Sequence, residues 1–279
     1  MKRFESAKFG VVVLGVLAGG GWSGVANADG VAAVDMTQPA RADRDVKTEV
    51  PILTYTYQAT GVSAGALGAE AYGLGMTAAG GVGDRGANRG IAGAGLTLWG
   101  SPFDRLTLVG DAARDVNGNF APSAAAIVRI LGRAEDGPSL GVIGRFKVEG
   151  FGVGPNDEME SEIEGGLLFS YAKSHWHLDV NAITGFGTGD DGEIDTEGRL
   201  RIGRDIGEHL RLGVDGQARY RLSGDAPLVG GRSGDFAGGP QVLFGSGHFF
   251  GAFTAGPTTT NVFSGLGWTA VATIGGATF

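Results

Sequence analysis

The chain has 279 residues and no cysteine, with 22 Lys and Arg against 30 Asp and Glu and a formal net charge of -8 at pH 7. An acidic chain without a basic patch argues against nucleic acid as a partner. The lack of cysteine excludes disulfides, Cys-ligated zinc, a thiol nucleophile and a lipidated N-terminal Cys.

In chain order, residues 1–28 read as an export signal. Met1, Lys2 and Arg3 are basic, Phe9 to Ala18 are almost wholly apolar, and Ala26-Asn27-Ala28 is an A-x-A cleavage site. The apolar run is short for a membrane span. Cleavage removes Lys2, Arg3 and Lys8 against Glu5 alone and leaves a more acidic chain. Residues 29–64 begin polar, with Pro39, Arg41, Asp43, Arg44, Asp45 and Pro51, and are expected to be a periplasmic N-terminal extension. Within it, Ile52 to Gln58 stays open between a short strand, a plug element and part of a wall. No later segment reaches 18 consecutive apolar residues, so no transmembrane helix is expected. Such a chain is either soluble outside the cytoplasm or crosses a membrane as a closed sheet.

From about Gly65 the pattern alternates. Glycine, at 54 residues, far exceeds the usual share of about 7%. It has no collagen period and is interleaved with Val, Leu, Ile and Phe, as in strands that bend and approach closely. Twelve strands are predicted, near 66–78, 90–99, 104–113, 121–133, 139–150, 158–172, 175–187, 193–204, 209–222, 234–244, 247–256 and 265–279. Ten or fourteen also fit, because residues 52–78 and 90–99 are ambiguous. The clearest alternation sets Leu210, Leu212, Val214, Ala218, Tyr220 and Leu222 against Arg211, Asp215, Gln217, Arg219 and Arg221. At a dozen residues this is about twice the modal soluble strand and suits a tilted membrane strand of about 9–11. Tight connections alternate with longer loops rich in Gly, Asp, Asn and Pro, the parity of a barrel with short turns on its periplasmic side.

If the apolar faces meet lipid, the charged faces line a lumen. The expected lining is Arg145, Lys147, Glu149, Glu158, Glu160, Glu162, Glu164, Asp179, Glu193, Asp195, Glu197, Arg199, Arg201, Arg211, Asp215, Arg219 and Arg221. A loop near 151–157 sets Glu149 opposite Glu158, Lys147 opposite Glu160 and Arg145 opposite Glu162. The charges either bias a narrow aqueous pore or pair across the lumen and fill it. Twelve strands lie between filled eight-strand barrels and open channels of sixteen or more.

Four histidines are present: His175, His177, His209 and His248. His175 and His177 share a face with Asp179, and His209 starts a strand at the same end, an arrangement open to a transition metal or to a polar lining near the turns. No metal site and no cofactor is assigned. Ser170 and His177 flank one tight turn, but no hydrolase motif surrounds them. The glycine strings lack the phosphate-loop pattern G-x-x-x-x-G-K-[ST].

The chain closes Trp268-Thr269-Ala270-Val271-Ala272-Thr273-Ile274-Gly275-Gly276-Ala277-Thr278-Phe279. A terminal aromatic on a final strand resembles the assembly signal of Gram-negative bacterial outer-membrane β-barrel proteins, the porin-like class. The resemblance implies an all-β fold, a transmembrane antiparallel up-and-down barrel over residues 65–279. It implies outer-membrane lipid and lipopolysaccharide as surroundings, and recognition of the last strand, through Phe279, by the outer-membrane assembly machinery. The expected function is a narrow passive or weakly selective channel for small polar solutes or ions, and not an enzyme. The alternatives are a closed structural or surface-display barrel, a soluble secreted β-sandwich and a barrel hydrolase.

Overall fold

The computed structural model describes residues 52–53, 56–59, 62, 64–78, 91–114, 120–132, 137–149, 160–188, 193–223, 234–259 and 266–278. The expected export signal, Glu158 and Phe279 lie outside the described residues. Two short strands come first, β1 (Ile52–Leu53) and β2 (Thr56–Tyr57). Then follow β3 (Leu67–Ala78), β4 (Ile91–Phe103), β5 (Leu106–Arg114), β6 (Phe120–Leu131), β7 (Gly137–Glu149) and β8 (Glu160–Lys173). The rest are β9 (Trp176–Gly187), β10 (Ile194–Asp205), β11 (Leu210–Ser223), β12 (Gly234–Ser246), β13 (Phe249–Thr259) and β14 (Gly267–Thr278).

Strands β3 to β14 form a closed antiparallel barrel, each beside its predecessor in the chain. β14 closes the ring on β3, from Gly267 opposite Ala78 to Thr278 opposite Leu67. All twelve predicted strands are present. The tight connections fall at one end: Asp104–Arg105, Ser174–His175, residues 206–209 and Gly247–His248. Ser174 and Gly247 open two-residue turns with φ of 55° and 58°, the sign that matches the twist of a hairpin. Both ends of the wall, Leu67 and Thr278, lie at that same end.

The one long boundary difference is β4, expected to stop at Trp99 but continuing to Phe103. A register shift between Gly100 and Phe103 absorbs the extra residues. The Ser101 hydroxyl fills the irregularity, 2.7 Å from the Phe103 carbonyl and 2.8 Å from that of Leu106. The expected β7–β8 pairing is off by two residues. Lys147 stands opposite Glu162 and Arg145 opposite Glu164, with Glu149 opposite Glu160. A two-residue step in register keeps every side chain on its face.

The sense of the alternation is that of a membrane barrel. On β10, Leu200 and Ile202 are 47% and 43% exposed, whereas Arg201 is 1% exposed. A water-soluble sandwich requires the reverse. Burying a large apolar side chain is worth about 1.5–3 kcal/mol, and this apolar surface encircles the wall, so the outside matches hydrocarbon. Exposed aromatics mark both rims. Phe103, Trp176, Phe244 and Phe249 lie towards the tight-turn end, and Phe120, Phe146, Phe186, Tyr220, Phe236 and Trp268 towards the long-loop end, as interfacial belts do.

Part of the residues expected as a periplasmic extension runs inside the barrel. Of the three roles left open for Ile52 to Gln58, the plug element describes the contacts. β1 and β2 pair as a hairpin, Ile52 opposite Tyr57. Thr56, Tyr57, Gln58, Ala59 and Val62 are all buried. The Thr56 hydroxyl donates to Asp215 on β11 at 2.5 Å, and the Tyr57 N–H donates to Asn181 on β9 at 2.8 Å. The Ala59 N–H donates to Ser170 on β8 at 2.8 Å, and the Val62 N–H to Thr107 on β5 at 3.1 Å. Contacts with strands so far apart in the ring place the segment in the lumen. A Cβ built on Gly141 of β7 would lie 3.6 Å from the Ala59 Cα, within disulfide range. In this cysteine-free chain, Ala59→Cys with Gly141→Cys is expected to form an intramolecular disulfide in the assembled barrel, detected by mass after thiol blocking. Each single variant should stay fully alkylatable.

Candidate functional site

The inner wall is the polar surface the fold creates, and its charges meet one another. Towards the long-loop end, Lys147 Nζ lies 2.8 Å from Glu162. Arg219 pairs with Asp195 and stands 3.6 Å from Glu162, and Arg221 pairs with Glu193. At mid-height, Arg145 pairs with Glu164 and donates to the Tyr57 hydroxyl at 2.9 Å. Arg199 donates to Glu197 at 2.9 and 3.0 Å, and its guanidinium lies 4.7 Å from the centre of the Tyr57 ring. Below them, Arg201 donates twice to Asp179, at 3.0 and 2.6 Å, and the Ser170 hydroxyl donates to the same carboxylate at 2.5 Å. Asp215 accepts from Thr56 and, at 3.2 Å, from Gln241. At the tight-turn end Arg211 donates to Asp205 at 2.8 Å, and His177 Nε2 is 2.8 Å from Asp205.

The physical cause is shared. A charge removed from water is tolerable only when paired and hydrogen-bonded, and cross-strand register supplies the partner. Glycine makes room. A Cβ on Gly185 would collide with the Glu162 carboxylate, so Glu162 lies over bare backbone on β9. Tyr72 lies over Gly95 in the same manner, an aromatic covering a glycine across the strand pair.

The histidines separate. His177 joins Asp205 and Arg211, and the rings of His209 and His248 donate to the carbonyls of Gly245 and Ala277 at 3.1 and 3.0 Å. Ser170 is engaged with Asp179 and Ala59, not with His177.

Sequence reasoning passed over several inner residues. Asn181 accepts from the Tyr57 N–H and donates to its carbonyl at 3.0 Å. On the wall of β3, β4 and β5, Glu70 stands opposite Thr97, and Thr97 opposite Asp111. The Thr97 and Tyr72 hydroxyls donate to Asp111 at 2.9 and 3.3 Å. Isolated acids at alternating positions in Leu67–Ala78 and Leu106–Arg114 were the available signal. Trp99 on the same face is 3% exposed and covers Gly68.

No protein-family model and no curated protein matches the sequence. Solved structures do. The KdgM porin in complex with disordered oligogalacturonate is 7% identical with a TM-score of 0.51, over 76% of this chain and 99% of that one. An outer-membrane channel from Pseudomonas putida F1 is 10% identical with a TM-score of 0.49, over 82% of this chain and 100% of that one. The outer-membrane channel DcaP of Acinetobacter baumannii is 10% identical with a TM-score of 0.35, over 77% and 98%. All three are channel proteins. At 7% identity the likeness to the KdgM porin concerns the fold alone, and the closed twelve-strand antiparallel barrel is read from this chain's own strand pairing.

Proposed function

We propose that the chain is an outer-membrane channel through which small polar solutes or ions pass passively along a narrow bore. The observation that carries this is the inner wall, lined by polar and charged side chains within an outer surface that is apolar between two aromatic belts. A barrel serving only as a scaffold has no need of so many ionised groups, because buried ion pairs add little stability over apolar packing. The bore is set by two things, the paired charges of β7 to β11 and the segment Thr56–Val62 that rests on the wall. In this reading residues 1–28 direct export and are removed. Lipid and lipopolysaccharide surround the barrel, and its last strand with Phe279 is recognised by the assembly machinery.

The second reading, a closed structural or surface-display barrel, is favoured by the apolar packing at the tight-turn end of the lumen. Phe250 and Leu243 are fully buried there in one cluster with Val62 and Tyr57. Refolded protein in a planar bilayer separates the two. Discrete current steps are expected. Silence in protein that migrates as an assembled barrel on unboiled gels would favour the closed scaffold.

A further inference from the structure

Opposite walls of the barrel differ in how their acids are compensated. β4 and β10 are six places apart in the ring of twelve, so they face each other across the lumen. On the wall centred on β10, Glu162, Glu164, Asp179, Asp195 and Glu197 each have an Arg or Lys within ion-pair distance. On the wall centred on β4, Glu70 and Asp111 flank Thr97 in one row, and neither is ion-paired among the described residues.

Glu70 is 4% exposed, and its Oε2 has no hydrogen-bond partner among the described residues. The groups acting on it are Asp111, a like charge, and the Thr97 hydroxyl. Asp111 is partly satisfied by Thr97 and Tyr72. The cation whose field reaches it is Arg145, already held by Glu164 and Tyr57. Beside them Trp99 Nε1 is likewise buried without a partner. Trp99 is the diagonal neighbour of Glu70 across β3 and β4, within reach of a long side chain. A buried carboxyl group left so either takes up a proton or holds a counter-charge.

We propose that Glu70, Asp111, Thr97 and Tyr72 form a subsite for one monovalent cation, taken as a free alkali ion or as the ammonium group of a solute, and that it makes the channel cation-selective. One positive charge is the right number, since Asp111 is already half satisfied by hydroxyl donors and Glu70 is not. The hydroxyls beside the two carboxylates supply oxygen ligands, the set that suits hard cations. The proposal rests on the channel reading.

The experiment is the reversal potential of the refolded protein in a potassium chloride gradient. The unaltered channel is expected to pass potassium over chloride. Glu70→Gln, which keeps the shape and removes the charge, should lower the permeability ratio by at least about threefold while leaving current steps in place. Ethylammonium chloride distinguishes the sources. Block of the potassium current, lost in Glu70→Gln, assigns the site to solute ammonium as well, and unhindered potassium flow assigns it to the alkali ion. An unaltered channel that is non-selective or anion-selective overturns the proposal, whether or not the variant assembles, and so does an unchanged ratio in an assembled Glu70→Gln.

If no current is seen, the channel reading fails, and the site is then tested in detergent micelles. In a variant with Trp22, Trp176 and Trp268 replaced by Phe, caesium chloride is expected to quench Trp99 fluorescence in a Glu70-dependent way. Quenching indifferent to Glu70→Gln would overturn the site itself.

Discussion

Arg201→Met is expected to destabilise the assembled barrel by about 3–5 kcal/mol, the cost of leaving a buried carboxylate without its cation. Arg201 is 1% exposed and donates twice to Asp179. Asp179 also accepts from Ser170, which in turn accepts from the Ala59 N–H. Loss of the guanidinium therefore leaves an unpaired charge at the base of a chain of hydrogen bonds that holds the inner segment. The double variant Arg201→Met with Asp179→Leu should recover most of the loss, because an apolar pair of similar volume needs no counter-charge. The urea midpoint of the folded band on unboiled gels gives both quantities. A double variant as unstable as the single one would mean that packing, not charge, decides the effect.

Deletion of residues 52–62 is expected to raise unit conductance at least about twofold and to admit larger sugars in liposome swelling, since bore width and lining set permeation. Tyr57 is the reason for the size of the effect. Its ring lies under Arg199, its hydroxyl receives a hydrogen bond from Arg145, and its main chain is held by Asn181. With the segment gone, the two arginines keep their acidic partners on the wall, and the volume in front of them opens to water. Unchanged conductance in a correctly assembled deletion would place the permeation path elsewhere than past this segment. Tyr57→Ala alone should give a smaller increase, because the backbone from Thr56 to Val62 remains bound through its own N–H groups.

The approximate strand positions and the parity of turns and loops were legible in the residue pattern, which left ten, twelve and fourteen strands open until the closed ring showed twelve. These follow from a local rule: a strand alternates with period two, and Gly, Asp, Asn and Pro interrupt it. Leu210 to Ser223 and Trp176 to Gly187 are legible for this reason, each patterned over a full span. Alternation states which residues share a face but not which face is dry. The closed ring settled that, with Leu200 and Ile202 outside and Arg201 within.

The partners of the charged residues came from the folded barrel. A pairing shifted by two residues leaves every side chain on its face, so the pattern could not distinguish Arg145 opposite Glu162 from the observed Arg145 opposite Glu164. Nor could it bring Thr56 to Asp215, 159 positions away in sequence. Thr56 to Val62 carries no period to read, and its place comes from polar groups that find their hydrogen bonds on several strands at once. The juxtaposition of β4 with β10, which sets the uncompensated Glu70 across from a wall of paired charges, exists only because β14 closes on β3. Closure is a property of the whole sheet, and no single strand encodes it.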